Sequence, residues 1–216
     1  MPRFGVDEAG KGPVLGPMVA ACVVADPADL PAGVDDSKKI APARRESLAA
    51  TLRADDRVTV GVARVGVERI DDPATDMNSL TVAAHAEAIA AALGEAPGDC
   101  AGVVDAGDVD AGRFARRVTA AAPGALDVTA EHGADATHAV VGAASVVAKV
   151  ERDAAVAALA DEYGEVGSGY PSDPTTRAFL RRHVRERGDL PACARRSWQT
   201  SRDVLAAVEQ GTLDEF

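Results

Sequence analysis

Two apolar runs in this chain end in acids. Phe4 to Val6 leads into Asp7 and Glu8, and Cys100 to Val104 leads into Asp105. A third acidic segment, Glu131-His132-Gly133-Ala134-Asp135, lies just before a long helical stretch. If the two runs are neighbouring parallel strands, Asp7 and Asp105 meet at one sheet edge, and the third segment can deliver Asp135 to the same place. Carboxylates sharing a small space repel one another unless cations neutralise them. Oxygen donors select hard ions such as Mg²⁺ or Mn²⁺, and two such ions about 4 Å apart form the usual clamp for in-line phosphoryl displacement. Asp108, Asp110, Asp127 and Glu131 read instead as solvated loop acids. No pair of the four histidines has zinc-site spacing, and His132, which flanks Asp135, reads as a surface or satisfied histidine.

The elements that must hold these acids follow from local patterns. Strands are expected over residues 3–7 and 14–24, joined by the turn Gly10-Lys11-Gly12. That turn nearly matches a phosphate-cradling loop. Gly12 lacks the hydroxyl such a loop needs, however, and Pro13 and a strand follow in place of a helix. Residues 27–42 read as a loop, 43–53 as a helix and 57–67 as an alternating strand. Ser79 is placed to cap a helix that ends at Gly94. Further strands are expected at 100–104 and 126–130, and further helices at 110–122, 137–163, 175–187 and 198–210. This is an α/β pattern with a mixed sheet whose centre holds the two wholly apolar strands. Ligands gather beyond strand ends in such sheets.

Composition sets limits on the rest. The chain has 216 residues, 47% of them hydrophobic and only 3% aromatic, enough for one core built from Ala, Val and Leu. No run approaches the roughly 20 apolar residues of a membrane span. The N-terminus enters a strand directly, which points to a cytoplasmic protein. Cys22, Cys100 and Cys193 are far apart and read as reduced thiols. The net charge is -11, and only Lys11, Lys38, Lys39 and Lys149 are lysines, a surface suited to a very salty cytoplasm. Such acidity alone would repel nucleic acid, but the charge is uneven. Residues 175–205 carry eight arginines against three acids, or +5, and the remainder carries -16. This end of the chain reads either as a phosphate-binding patch or as a solvated helical face.

The segment Asp7-Glu8-Ala9-Gly10-Lys11-Gly12-Pro13 resembles the signature of ribonuclease HII (type 2 ribonuclease H). Further blocks resemble that family in the family's order: Asp36-Ser37-Lys38-Lys39, Val103-Val104-Asp105, Ala134-Asp135, Ala143 to Asp153, and Gly167-Ser168-Gly169-Tyr170-Pro171-Ser172-Asp173. With the acid-rich composition, the resemblance is to an archaeal, halophilic member. It implies an RNase H-like α/β fold, a mixed five-stranded sheet flanked by helices with a C-terminal helical extension. It also implies endonucleolytic cleavage of the RNA strand of RNA–DNA hybrids, and at ribonucleotides embedded in duplex DNA, leaving 3′-hydroxyl and 5′-phosphate ends. By the same resemblance Asp7, Glu8, Asp105 and Asp135 would hold Mg²⁺ or Mn²⁺. Gly10, Lys11 and Gly12 would read the ribose, Tyr170 would stack on the next sugar, and Lys38 and Lys39 would contact backbone phosphates. Two positions depart from the family pattern: Lys11 stands where arginine is usual, and Gly133 where lysine is frequent.

The expected organisation is a catalytic domain over residues 1–170, a substrate-binding helical extension over 171–209 and a tail over 210–216. In the tail, Gln210, Leu213 and Phe216 resemble the peptide by which replication and repair enzymes dock on the DNA sliding clamp. Chance or core packing is the other reading of that tail. Two rival functions remain at this point. Another RNase H-like nuclease acting on DNA would need no ribose-reading turn, and a non-catalytic hybrid-binding protein would not need all four acids.

Overall fold

The computed structural model describes residues 3–34, 40–94 and 100–213. Lys38, Lys39 and Phe216 therefore lie outside the described residues. The chain forms two compact units: Met1–Lys11, Met18–Arg64 and Asp76–Arg152 make the first, and Gly12–Pro17, Val65–Thr75 and Asp153–Phe216 the second.

The first unit is built on five strands: β1 (Arg3–Ala9), β2 (Met18–Ala25), β3 (Thr59–Val65), β4 (Cys100–Asp105) and β5 (Leu126–Glu131), in the order β3-β2-β1-β4-β5. β1 runs antiparallel to β2 and parallel to β4, and β4 runs parallel to β5. The mixed sheet with apolar β1 at its centre is as the sequence implies. β2 starts four residues later than expected, after Gly16 and Pro17. Val14 and Leu15 leave the sheet, and Leu15 bridges to Ala194 in the second unit.

One face of the sheet is covered by α1 (Pro42–Ala54) and α5 (Ala139–Tyr163). Ala21 and Val23 of β2 pack there with Leu48 and Leu52 of α1 and Val146 and Val147 of α5. The approach of α5 depends on Gly5: a Cβ on that residue would stand 2.4 Å from the backbone carbonyl carbon of Val140. The other face is covered by α3 (Met77–Leu93) and α4 (Ala111–Ala121), with α3 on β1 and β2 and α4 on β5. The α3 cap is Asp76, not Ser79. Its carboxylate accepts from the amides of Asn78 and Ser79 at 2.9 and 3.1 Å. Gly94 ends the helix at φ 79°, as expected.

The second unit contains the short α2 (Val67–Ile70), α6 (Pro174–Arg187) and α7 (Gln199–Leu213), and α5 continues into it. Its core gathers Leu15, Val166, Phe179, Leu180 and Val204. α2 begins at Val67, where the sequence reads the end of a strand. Four residues are too few for a helical period to show. All three cysteines are free, two of them buried. Among the described residues no helix is long and apolar enough to cross a membrane.

Candidate active site

β1 pairs with β4 in the register Phe4–Gly102, Gly5–Val103, Val6–Val104, so the next step sets Asp7 beside Asp105 at the strand ends. Successive strand residues point to opposite faces. Asp7 shares the face of Gly5 and meets α5, whose Ser145 donates a hydrogen bond to it. Glu8 takes the α3 face, where His85 Nε2 lies 2.8 Å from Glu8 Oε2. Asp105 faces Glu131 on β5 and accepts from the Ala134 amide at 2.8 Å. That contact ties the end of β4 to the one-turn helix Ala134–Ala136, which carries the buried Asp135. Gly133 starts this turn at φ 68°, a left-handed conformation that a lysine there would enter only with strain.

The electrostatics of these acids reflect crowding. Burial pushes Asp7 up to about 7, and the charges of Glu8 and Asp105 add to this against the Ser145 hydrogen bond and the Lys149 ammonium. Asp105 is also raised, first by burial and then by Glu8 and Asp135, against the Ala134 amide. Burial acts on Glu8 in the same direction, but the hydrogen bond and charge of His85, with the charge of Lys11, outweigh it and leave Glu8 lowered. The four acids thus act on one another electrostatically. Even so, no three His, Cys, Asp or Glu side chains among the described residues form a ready-made metal cluster. The alternation of β1 is the physical reason: neighbouring carboxylates leave the strand on opposite faces, and each is engaged by a protein donor. The donor set still fits hard divalent cations, being all carboxylate, with the charges of Glu8 and Asp105 adding to the burial that holds Asp7 far above an ordinary aspartate.

Of the glycine turn, Gly10 has φ 86° and Lys11 turns inward, its Nζ donating to the carbonyl oxygen of Gly107 just past β4. The side chain that differs from the family is therefore bonded to its own chain. In the second unit, Gly12 is exposed, and its carbonyl accepts from Trp198 Nε1 at 3.1 Å. A Cβ on Gly12 would lie 3.9 Å from Tyr170 Cε1. The Val14 and Leu15 amides both donate to the Gly169 carbonyl, at 2.8 and 3.2 Å. The exposed ring of Tyr170 thus lies beside Gly12.

The arginine-rich stretch divides in two. Arg177, Arg181, Arg182, Arg185, Arg187, Arg196 and Arg202 are exposed, with Arg196 paired to Asp189 at 2.6 Å. Arg195 is fully buried, with its Nε donating to the Gly16 carbonyl at 3.0 Å and its guanidinium 4.8 Å from the Trp198 ring centre. It belongs to the core and not to a surface patch. Asp108, read as a solvated loop acid, is buried and paired with Arg113 at 2.7 Å, while Asp110 caps α4. Gln210 is an exposed residue of α7.

Sequence reasoning passed over Ser145, Trp198 and His85. Ser145 stands inside a recognised block and Trp198 is the chain's only tryptophan. His85 gave no signal beyond its place in a helix.

The family model for ribonuclease HII matches residues 4–201. A ribonuclease HII of Haloarcula marismortui is 62% identical, over 99% of this chain and 100% of the relative. The crystal structure of ribonuclease H2 from Pyrococcus horikoshii superposes with a TM-score of 0.85 at 37% identity, over 97% of this chain and 100% of that one. The ribonuclease HII of Archaeoglobus fulgidus, solved as a complex with PCNA, superposes with a TM-score of 0.82 at 37% identity, over 92% of this chain and 96% of that one. By matched family, whole-length relatives and shared fold, the chain belongs to the ribonuclease HII family, endoribonucleases that act on RNA–DNA hybrids.

Proposed function

We propose that Asp7, Glu8, Asp105 and Asp135 are the ligands for Mg²⁺ or Mn²⁺ with which this ribonuclease H cuts the RNA strand of a hybrid, or a ribonucleotide embedded in duplex DNA. The observation that carries the reading is the β1–β4 register, which brings two strand-end aspartates to the same step beside the buried Asp135. When bound, such cations supply charge for activating water and for stabilising the leaving 3′-oxygen, so the products are a 3′-hydroxyl and a 5′-phosphate. No side chain need act as a covalent nucleophile. Ser145 and the Ala134 amide orient Asp7 and Asp105, and Lys149 supplies positive charge near Asp7.

Substrate choice falls to Gly10, Lys11, Gly12 and Tyr170. Glycines let the backbone approach the sugar, and the 2′-hydroxyl distinguishes RNA from DNA. The exposed ring of Tyr170 beside Gly12 suits stacking on a neighbouring sugar. Lys38 and Lys39 serve as phosphate contacts. Residues 1–170 then act as the catalytic part and 171–209 as a substrate-binding extension, for which the exposed arginines are the support. The protein works on DNA in the cytoplasm.

The deciding experiment is cleavage of a duplex carrying one ribonucleotide, against all-DNA and all-RNA controls. Asp7→Asn and Asp105→Asn should each lose at least about a hundredfold in activity, more than loss of an outer-sphere partner would cost; undiminished cleavage would refute the ligand assignment. Gln210, Leu213 and Phe216 form a clamp-docking tail in this reading, supported by the relative solved with PCNA. Phe216→Ala should abolish clamp pulldown and leave nuclease activity intact, and a wild type that fails to bind the clamp ends the idea.

A further inference from the structure

His85 is the one histidine buried completely in the sheet-bearing unit. Its ring packs edge-on against Phe114, with centroids 5.1 Å apart and planes at 86°. Nδ1 is buried and has no hydrogen-bond partner among the described residues. Nε2 makes one polar contact, 2.8 Å to Glu8 Oε2. Glu8 is an acceptor when ionised, so the geometry assigns a proton to Nε2. Burying an imidazole with half its polar atoms unpaired is unfavourable, and an apolar side chain would fill the same place without that penalty. Core packing against Phe114 does not explain the choice of histidine. The bond to Glu8 does.

We infer that His85 is a positioning residue for Glu8. It fixes one carboxylate oxygen from the α3 face and stops rotation of the group, so that Glu8, alone among the four acids in pointing to that face, is held in a single orientation for a cation. The inference rests on Glu8 being a metal ligand. Outer partners that orient a ligand in this way commonly contribute about 10–100-fold to metal affinity or activity. His85 would do for Glu8 what Ser145 does for Asp7 and the Ala134 amide for Asp105: each of three acids has its own donor, on a different element.

The test is Mn²⁺ binding to the full chain by calorimetry at constant salt, with no substrate present. His85→Leu should weaken Mn²⁺ binding about tenfold or more, whereas His85→Gln, whose Nε2 can reach the same oxygen, should restore it to within about threefold of wild type. Wild-type Kd in His85→Leu overturns the inference, and so does a loss of the same size in Leu and Gln, since that would reflect packing alone. Should His85→Leu fail to fold, His85→Gln is compared with His85→Asn, whose shorter amide falls short of Glu8: tighter binding in Gln supports the inference, and equal binding overturns it. Glu8→Gln separates the two levels. If it binds Mn²⁺ as wild type does, the ligand reading fails and His85 with it. If it loses Mn²⁺ while His85→Leu keeps it, only the positioning role fails.

Discussion

The two units hold their candidate functional residues by different means. In the sheet-bearing unit, Asp7 and Asp105 are placed by strand register and by a helix lying directly on glycine. In the other unit, the exposed Gly12 and the ring of Tyr170 are placed by a few bonds between side chains and backbone: Trp198 to Gly12, Arg195 to Gly16, and two amides to Gly169. A register shared among many residues tolerates little local change without moving everything on it. A turn held by single bonds can be loosened one bond at a time. In the proposed function the chemistry is thus tied to global stability, and the proposed reading of the sugar to local order.

Gly5→Ala tests the first half of that contrast and should have the largest effect. The new methyl meets the backbone of Val140 and Val141, which no rotamer change can move aside. A stability loss of about 3 kcal/mol, the upper part of the range for overpacking, is expected from denaturant unfolding, with activity lost alongside it. A Gly5→Ala protein as stable as wild type would mean that α5 can lift away freely.

Trp198→Phe tests the second half. It keeps most of the ring that faces Arg195 and removes the N–H that holds the Gly12 carbonyl. About 1 kcal/mol of stability should be lost. KM for a duplex with one ribonucleotide should rise while kcat stays near wild type, because the acids are untouched. An equal fall in kcat would show that the turn and the acids are not separable.

The smallest effect is expected at Asp173, in the loop that carries Tyr170. Donors on Ser168, Thr175 and Thr176 hold its carboxyl down at about 2, against an ordinary 3.8. A lowered acid contributes stability above its unfolded value and loses it as pH falls through its folded value. The gap in melting temperature between wild type and Asp173→Asn should therefore be full at pH 6 and should close between about pH 4 and pH 2. A gap independent of pH would show that the donors serve Asn equally well.

Much of the candidate site was legible because Val6-Asp7 and Val104-Asp105 are strand ends, where a buried apolar run stops at a charge. The central sheet was legible for the same reason. The remainder depended on packing that no window of sequence contains. β2 reads as continuous from Val14, yet it starts only after Gly16 and Pro17, and Leu15 pairs with Ala194 far along the chain. Arg195 looks like one of eight similar arginines until its guanidinium is found inside the core. The carbonyl that Lys11 bonds to, on Gly107, lies far along the chain and leaves no local signal. His85 has the local pattern of a helix face, and only the parity of β1 reveals that Glu8 lies opposite it.

That parity also limits how the chain can change in length. Adding or deleting one residue between Arg3 and Asp7 would exchange the destinations of all side chains beyond it. Asp7 would turn toward His85 and Glu8 toward Ser145. If the change lay before Gly5, the place opposite Val140 would no longer hold a glycine. Loops between these elements can lengthen or shorten with modest consequence. In the first strand, a single-residue insertion or deletion would dismantle three partnerships at once, so its length is under as strict a constraint as its composition.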